Sequence, residues 1–134
     1  MSRHLGKFCD PIATQGGREG VGRGHSHRLG ATYDVIAAIF IQFATPDERA
    51  RLFAWFKRAL TPGGILILQG YRVEQLGYRT GGPPEIDHLY TPTMVREAFA
   101  DCEILELAAY DAEIHEGSGH SGMSALLGAT IRRR

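Results

Sequence analysis

The chain has 134 residues, with 15 Lys+Arg against 15 Asp+Glu and a formal net charge of zero. That length fits one domain, and the charge balance excludes the global field that draws nucleic acid or an acidic membrane surface. Hydrophobic residues make up 43% and charged residues 22%, which excludes disordered and fibrous classes.

No apolar run approaches the ~18–20 residues that span a bilayer. The first residues, MSRHLGKFCDPIATQGG, lack the apolar stretch of a signal peptide. The two cysteines, Cys9 and Cys102, fit a reduced, cytoplasmic protein. Residues 1–30 hold seven of the 17 glycines, five basic residues and two acidic ones. Such a segment buries too little apolar surface to offset its ordering entropy, so it reads as an irregular Gly/Arg/His-rich leader. His25 and His27 are two metal-ligand types in a site that needs three or four, so no metal is expected.

Ordered patterns begin at Ala31. Tyr33–Phe43, YDVIAAIFIQF, is a nearly continuous β-branched and aromatic run, as in a strand covered on both faces. A buried helix shares that pattern but not the helix start that follows at once. Thr45-Pro46-Asp47-Glu48 combines a cap, a proline at the first helical position and a capping box. Leu52, Phe53, Trp55, Phe56, Ala59 and Leu60 then share one arc, with Arg51, Ala54, Lys57 and Arg58 on the other.

Thr61-Pro62-Gly63-Gly64 predicts a tight turn, and Ile65–Tyr71 a second buried strand. Strand, helix and strand make a βαβ unit with parallel strands. Residues 72–90, with Gly81-Gly82-Pro83-Pro84, read as a long mobile loop beyond the end of that strand, the side on which open α/β sheets bind ligands. Thr91-Pro92 starts a short helix whose inner face is Met94, Val95, Ala98 and Phe99. Glu103–Ile114 and Met123–Ile131 read as antiparallel strands joined by HEGSGHSG.

The run YDVIAAIFIQF with its capped helix, then LTPGGILILQGY, LYTPTMVREAF and the closing hairpin, resembles the C-terminal half of class I S-adenosylmethionine-dependent methyltransferases. The resemblance is to the bacterial branch that includes the tellurite-resistance methyltransferases. The resemblance covers about residues 31–134. It implies a truncated Rossmann-like α/β fold with a four-stranded mixed sheet in the parent order 4-5-7-6. It also implies S-adenosylmethionine as cofactor and an unidentified small-molecule acceptor. The glycine turn and ribose-binding carboxylate of the family's first half have no counterpart here. Glu19-Gly20-Val21-Gly22-Arg23-Gly24 lacks the strand before and the helix after that such a turn needs. Weak or no cofactor binding follows as an expectation.

The resemblance also nominates site residues. Ile41, Gln42 and Phe43 would face the cofactor. Tyr71 and His120 would line the acceptor site. His115, in Glu113-Ile114-His115, would be the catalytic acid or base. A basic residue follows that histidine in the related branch, whereas Glu116 stands here. Two functional readings result: a methyltransferase-like protein impaired in cofactor binding, and a non-catalytic, self-associating α/β module. In both, the strand at 33–43 lies at a sheet edge with no lysine or internal proline, which predicts a homo-oligomer through that edge.

Overall fold

A computed structural model describes residues 30–134. The leader's histidines, its EGVGRG run and Cys9 lie outside the described residues, as does the expected irregular leader of residues 1–30 except for Gly30.

The first strand, β1, spans Tyr33–Ile39 and stops four residues short of the sequence expectation. The cause is Phe40, whose φ of 51° is left-handed and cannot continue an extended strand. Such a conformation costs a bulky residue about 1–2 kcal/mol. Two contacts offset it: the Phe40 N–H donates to the Gln69 carbonyl at 2.8 Å, and its ring packs on Tyr71 with centroids 4.8 Å apart.

Helix α1, Pro46–Ala59, begins with the expected capping box. The Thr45 N–H donates to Glu48 Oε2 at 2.9 Å, and the Glu48 N–H donates to Thr45 Oγ1 at 3.4 Å. Its buried residues are Leu52, Phe53, Phe56 and Ala59. Strand β2 then runs Leu60–Tyr71. The Thr61–Gly64 segment is therefore not a turn ahead of the strand. It is an irregularity within it, because pairing jumps from Tyr33↔Leu60 to Val35↔Ile65. Gly63 takes φ 80°, and the backbone of Gly63 and Gly64 pairs with Arg133.

After β2 come α2 (Gln75–Tyr78) and a single 3-10 turn at Ile86–His88. Helix α3, Pro92–Ala98, is capped by Thr91. Strands β3 (Glu103–His115) and β4 (Ser121–Arg132) close the chain. The sheet order is β1-β2-β4-β3, with β1 and β2 parallel and β4 antiparallel to both its neighbours. This mixed, four-stranded α/β arrangement reproduces the order implied by 4-5-7-6.

One face of the sheet holds the core. Ile36, Ala38, Leu66, Leu68, Leu127, Ala129 and Ile131 pack with Leu52, Phe53 and Phe56 of α1 and with Val95 and Phe99. The other face differs from expectation. Val35 is 53% exposed, Ile39 44% and Ile67 42%, so β1 alternates buried and bare instead of being covered on both sides. Among the described residues, the helices that fill the core lie on one face only.

Segment 72–90 is tied down rather than looping free. Gln75, buried, donates from Nε2 to Thr80 Oγ1 and to the Gly81 carbonyl, both at 3.0 Å, and its Oε1 accepts the Ala125 N–H at 2.8 Å. Thr80 Oγ1 donates to the Met123 carbonyl at 2.7 Å. A buried glutamine with all three bonds made is costly to displace.

Gly70 lets the end of β2 pack this tightly. A Cβ there would lie 2.5 Å from Tyr90 Cε2 and 2.7 Å from Gln42 Oε1. Overpacking of this kind costs about 1–3 kcal/mol. Gly70→Ala should lower the unfolding free energy by that amount in urea titration; unchanged stability would show that the ring and amide yield freely.

Candidate functional site

The C-terminal ends of the parallel strands β1 and β2 meet at a cleft of about 330 Å3. Phe40, Phe43 and Tyr71 supply aromatic walls, Gln42 lies at the base, Gly82 and Pro83 come from the tethered segment, and Glu116 and His120 come from the hairpin connection.

Gln42 is 4% exposed and is spent on backbone. Its Nε2 donates to the Tyr71 carbonyl at 2.8 Å and to the His88 carbonyl at 3.2 Å, and its Oε1 accepts the Tyr71 N–H at 2.6 Å. The Gln42 carbonyl in turn accepts from His88 Nδ1 at 2.9 Å. This ring of bonds fixes the strand exits relative to each other and to the 3-10 turn. It leaves the amide no free donor toward the cleft.

Tyr71 lies with its hydroxyl 3.2 Å from His120 Nδ1 and its ring stacked on the imidazole, 18° from parallel. Burial, and secondarily the charge of Glu116, pushes the Tyr71 hydroxyl above its ordinary pKa. It therefore remains a proton-bearing group at neutral pH. The GGPP turn supports the pair. Gly81 has φ 128°, and a Cβ on it would come within 2.5 Å of His120 Nδ1. Gly82 lies against the Tyr71 ring, which its added Cβ would approach to 3.0 Å.

The structure thus brings together Gln42, Phe43, Tyr71 and His120. Ile41 instead turns into the core at 5% exposure. His115, the last residue of β3, is exposed and bonds through Nδ1 to Ser121 Oγ at 3.2 Å; it is not on the cleft lining. Phe40, Gly82, Pro83 and Glu116 complete the site, and Gln75 holds its tethered wall. None of these stood out as site residues in the sequence. A left-handed phenylalanine has no sequence signature, and the roles of Gln75 and Glu116 depend on contacts about 50 residues apart or across a turn.

Among the described residues, no group of three or more His, Cys, Asp or Glu side chains could hold a metal. No helix among them is long and apolar enough to cross a membrane.

No protein-family model matches the chain, and no curated protein matches it in sequence. Solved structures match its fold. TehB from Haemophilus influenzae aligns over 78% of this chain and 36% of its own, with TM-score 0.58 and 15% identity. A SAM-dependent methyltransferase from Methanosarcina mazei aligns over 78% and 60%, with TM-score 0.57 and 14% identity. N-methyltransferase NodS from Bradyrhizobium japonicum WM9, in complex with S-adenosyl-L-homocysteine, aligns over 77% and 47%, with TM-score 0.53 and 13% identity.

The chain has a methyltransferase-like α/β fold. It spans between about a third and three fifths of the length of these methyltransferase structures.

Burial of two tyrosines predicts a fold sensitive to alkali. The Tyr90 hydroxyl is buried without a hydrogen-bond partner, and burial pushes its pKa well above the ordinary value, as it does for Tyr71. Both groups bind their protons more tightly when folded. Their stabilising contribution is whole below the unfolded pKa of about 10 and is lost as pH climbs toward the folded values. Tyr90→Phe should keep full stability at neutral pH and move the alkaline unfolding midpoint upward. An unchanged midpoint in circular dichroism would remove Tyr90 as a cause.

Proposed function

We propose that the chain forms the acceptor side of an S-adenosylmethionine-dependent methyltransferase-type protein, with a small molecule as acceptor in the Tyr71–His120 cleft. One observation carries this reading: the cleft lies where two parallel strands end, the ligand-binding side of an open α/β sheet, in a fold shared with methyltransferases. In this reading Phe43 and the backbone around Gln42 border the cofactor's reactive end. Tyr71 orients His120, and the acid–base role expected of His115 passes to His120, the histidine that reaches the cleft.

The residues present do not fit the whole cofactor. Neither strand-to-helix turn, Phe40–Thr45 or Arg72–Glu74, contains a glycine that would let the backbone approach a nucleoside closely. Gln42 has no free donor, and among the described residues Glu116 is the only carboxylate on the cleft lining. Each missing buried hydrogen bond to a polar or charged ligand group costs about 1–3 kcal/mol. Losing several moves a micromolar binder beyond millimolar. Calorimetric titration with S-adenosylhomocysteine should therefore give a dissociation constant of about a millimolar or weaker; low micromolar binding would refute this reading of the chain as impaired.

The second reading, a self-associating module without catalysis, draws on a different observation. β1 is an edge strand whose outer backbone groups are unpaired within the sheet, and Val35, Ile39 and Ile67 lie bare beside it. Its seven residues contain no lysine or proline, the usual protections of an edge. A second copy pairing β1 with β1 about a two-fold axis would satisfy the edge and extend the sheet. Covering several hundred Å2 of apolar surface is worth on the order of 10 kcal/mol. Sedimentation at low micromolar concentration should show a dimer or higher oligomer. A monodisperse 14.7 kDa species, or an interface confined to the β3–β4 hairpin, would overturn it.

A further inference from the structure

With a neutral imidazole, the Tyr71–His120 pair carries two protons, one on oxygen and one on nitrogen. One is spent between the partners, in the 3.2 Å contact of the hydroxyl with Nδ1. The other faces outward. Its position decides what the cleft offers a ligand, because the side-chain amide of Gln42 is already spent on the Tyr71 and His88 carbonyls.

Three observations put the outward proton on Nε2. Among the described residues, Nδ1 is the hydrogen-bond partner of the Tyr71 hydroxyl. Burial, with the charge of Glu116 second, holds the hydroxyl proton above the ordinary tyrosine range. The hydroxyl therefore donates and Nδ1 accepts, and a neutral imidazole that accepts at Nδ1 carries its proton on Nε2. The Nδ1 edge of the ring is also closed off by backbone. A Cβ on Gly81 would lie 2.5 Å from Nδ1 and 3.3 Å from Cε1, and the ring is stacked on Tyr71. That leaves Nε2 as the nitrogen able to meet a ligand, on a residue that is exposed and lines the cleft. Finally, Glu116 lies on the same lining, and its negative charge favours a proton over a lone pair toward the cavity.

The geometry points to His120 as a neutral N–H donor in the cleft, held in its Nε2–H form by Tyr71, and to a ligand that presents a neutral carbonyl or hydroxyl oxygen to that nitrogen. This deepens the reading of the cleft as the acceptor site, on which it rests. It narrows the part of His120 there from proton exchange to hydrogen-bond donation. A neutral oxygen takes the donor without opposing Glu116. A carboxylate takes the same donor against the Glu116 charge, at a modest, salt-screened cost. Tyr71 acts on the ligand through His120 and is a positioning residue.

The proton can be located without any ligand. Long-range proton–nitrogen NMR of the full chain, at a pH where imidazoles are neutral, should show His120 protonated at Nε2 and bare at Nδ1. Tyr71→Phe, with its fold checked by circular dichroism, should let a measurable Nδ1–H population appear. A proton on Nδ1 in the native chain, or no change in Tyr71→Phe, would overturn the assignment. Cyclohexanone then probes the donor. It should shift the His120 Nε2, Tyr71 and Gly82 signals, and His120→Ala, in an exposed connection, should weaken it about fivefold, the scale of one hydrogen bond. His120→Gln, whose amide N–H stands in for Nε2–H, should restore most of that loss. Cyclohexanecarboxylate should bind about threefold more weakly than the ketone, the scale of a screened like charge, and Glu116→Gln should close that gap. No response to cyclohexanone, equal loss in the Ala and Gln variants, or tighter binding of the carboxylate would each overturn the inference. Cofactor titration reads separately. Low micromolar S-adenosylhomocysteine binding overturns the impaired reading alone, and a misplaced His120 proton overturns this inference alone.

Discussion

Much of this fold turns on one amide. Gln42 sits two residues after Phe40, the left-handed residue that stops β1, and ties three chain segments together: the exit of β1, the exit of β2 at Tyr71 and the 3-10 turn at His88. A buried glutamine is costly unless its donors and acceptor are satisfied, and here backbone groups satisfy all of them. The geometry is possible only because Gly70 has no side chain, so the amide and the Tyr90 ring can lie against the strand. The cleft wall at Tyr71 is positioned by this arrangement. Gln42 thus contributes to the site through architecture, although a polar residue at a strand end reads from sequence as a ligand contact.

That contrast separates what the sequence made legible from what it did not. The strand run beginning at Tyr33, the Thr45 capping box, the Thr91-Pro92 helix start and the closing hairpin all follow from local rules of periodicity and capping, and each is present. The sheet order followed from the family resemblance. The misjudged points depend on distant contacts. Phe40 breaks its strand because Tyr71 offers a ring to pack on, and periodicity reads straight through such a break. Thr61–Gly64 has the composition of a turn, yet Arg133, some 70 residues away, recruits its backbone into the sheet. Segment 72–90 has the length of a free loop, but Gln75 reaches Ala125 across 50 residues and pins it. His115 and His120 stand five residues apart, and only the geometry of their connection decides which reaches the cleft.

The one-sided placement of the helices connects the two functional readings. The buried face of the sheet is complete, with large side chains from α1 and the α3 region filling it. The opposite face keeps apolar residues at alternating positions of β1 and β2, as in a sheet that takes a cover on that side. Strand β1 is parallel to β2, and among the described residues no strand pairs with its outer edge. The proposed acceptor site and the uncovered surface consequently lie on the same part of the molecule, β1 and its exit. Any partner that pairs with β1 would approach the cleft mouth near Phe43, itself 57% exposed. Association and ligand binding are therefore expected to influence each other.

Charge gives the cleft its remaining character. Glu116 lies on the hairpin connection, one residue after His115 and four before His120, and its backbone N–H bonds to the His120 carbonyl at 2.8 Å. That bond closes the turn, so it holds the carboxylate and the cleft histidine together. Coulombic interactions weaken steeply with solvent screening, which makes an exposed carboxylate a modest force by itself. Beside the Tyr71–His120 pair it still acts on the tyrosine hydroxyl, whose proton it helps to hold.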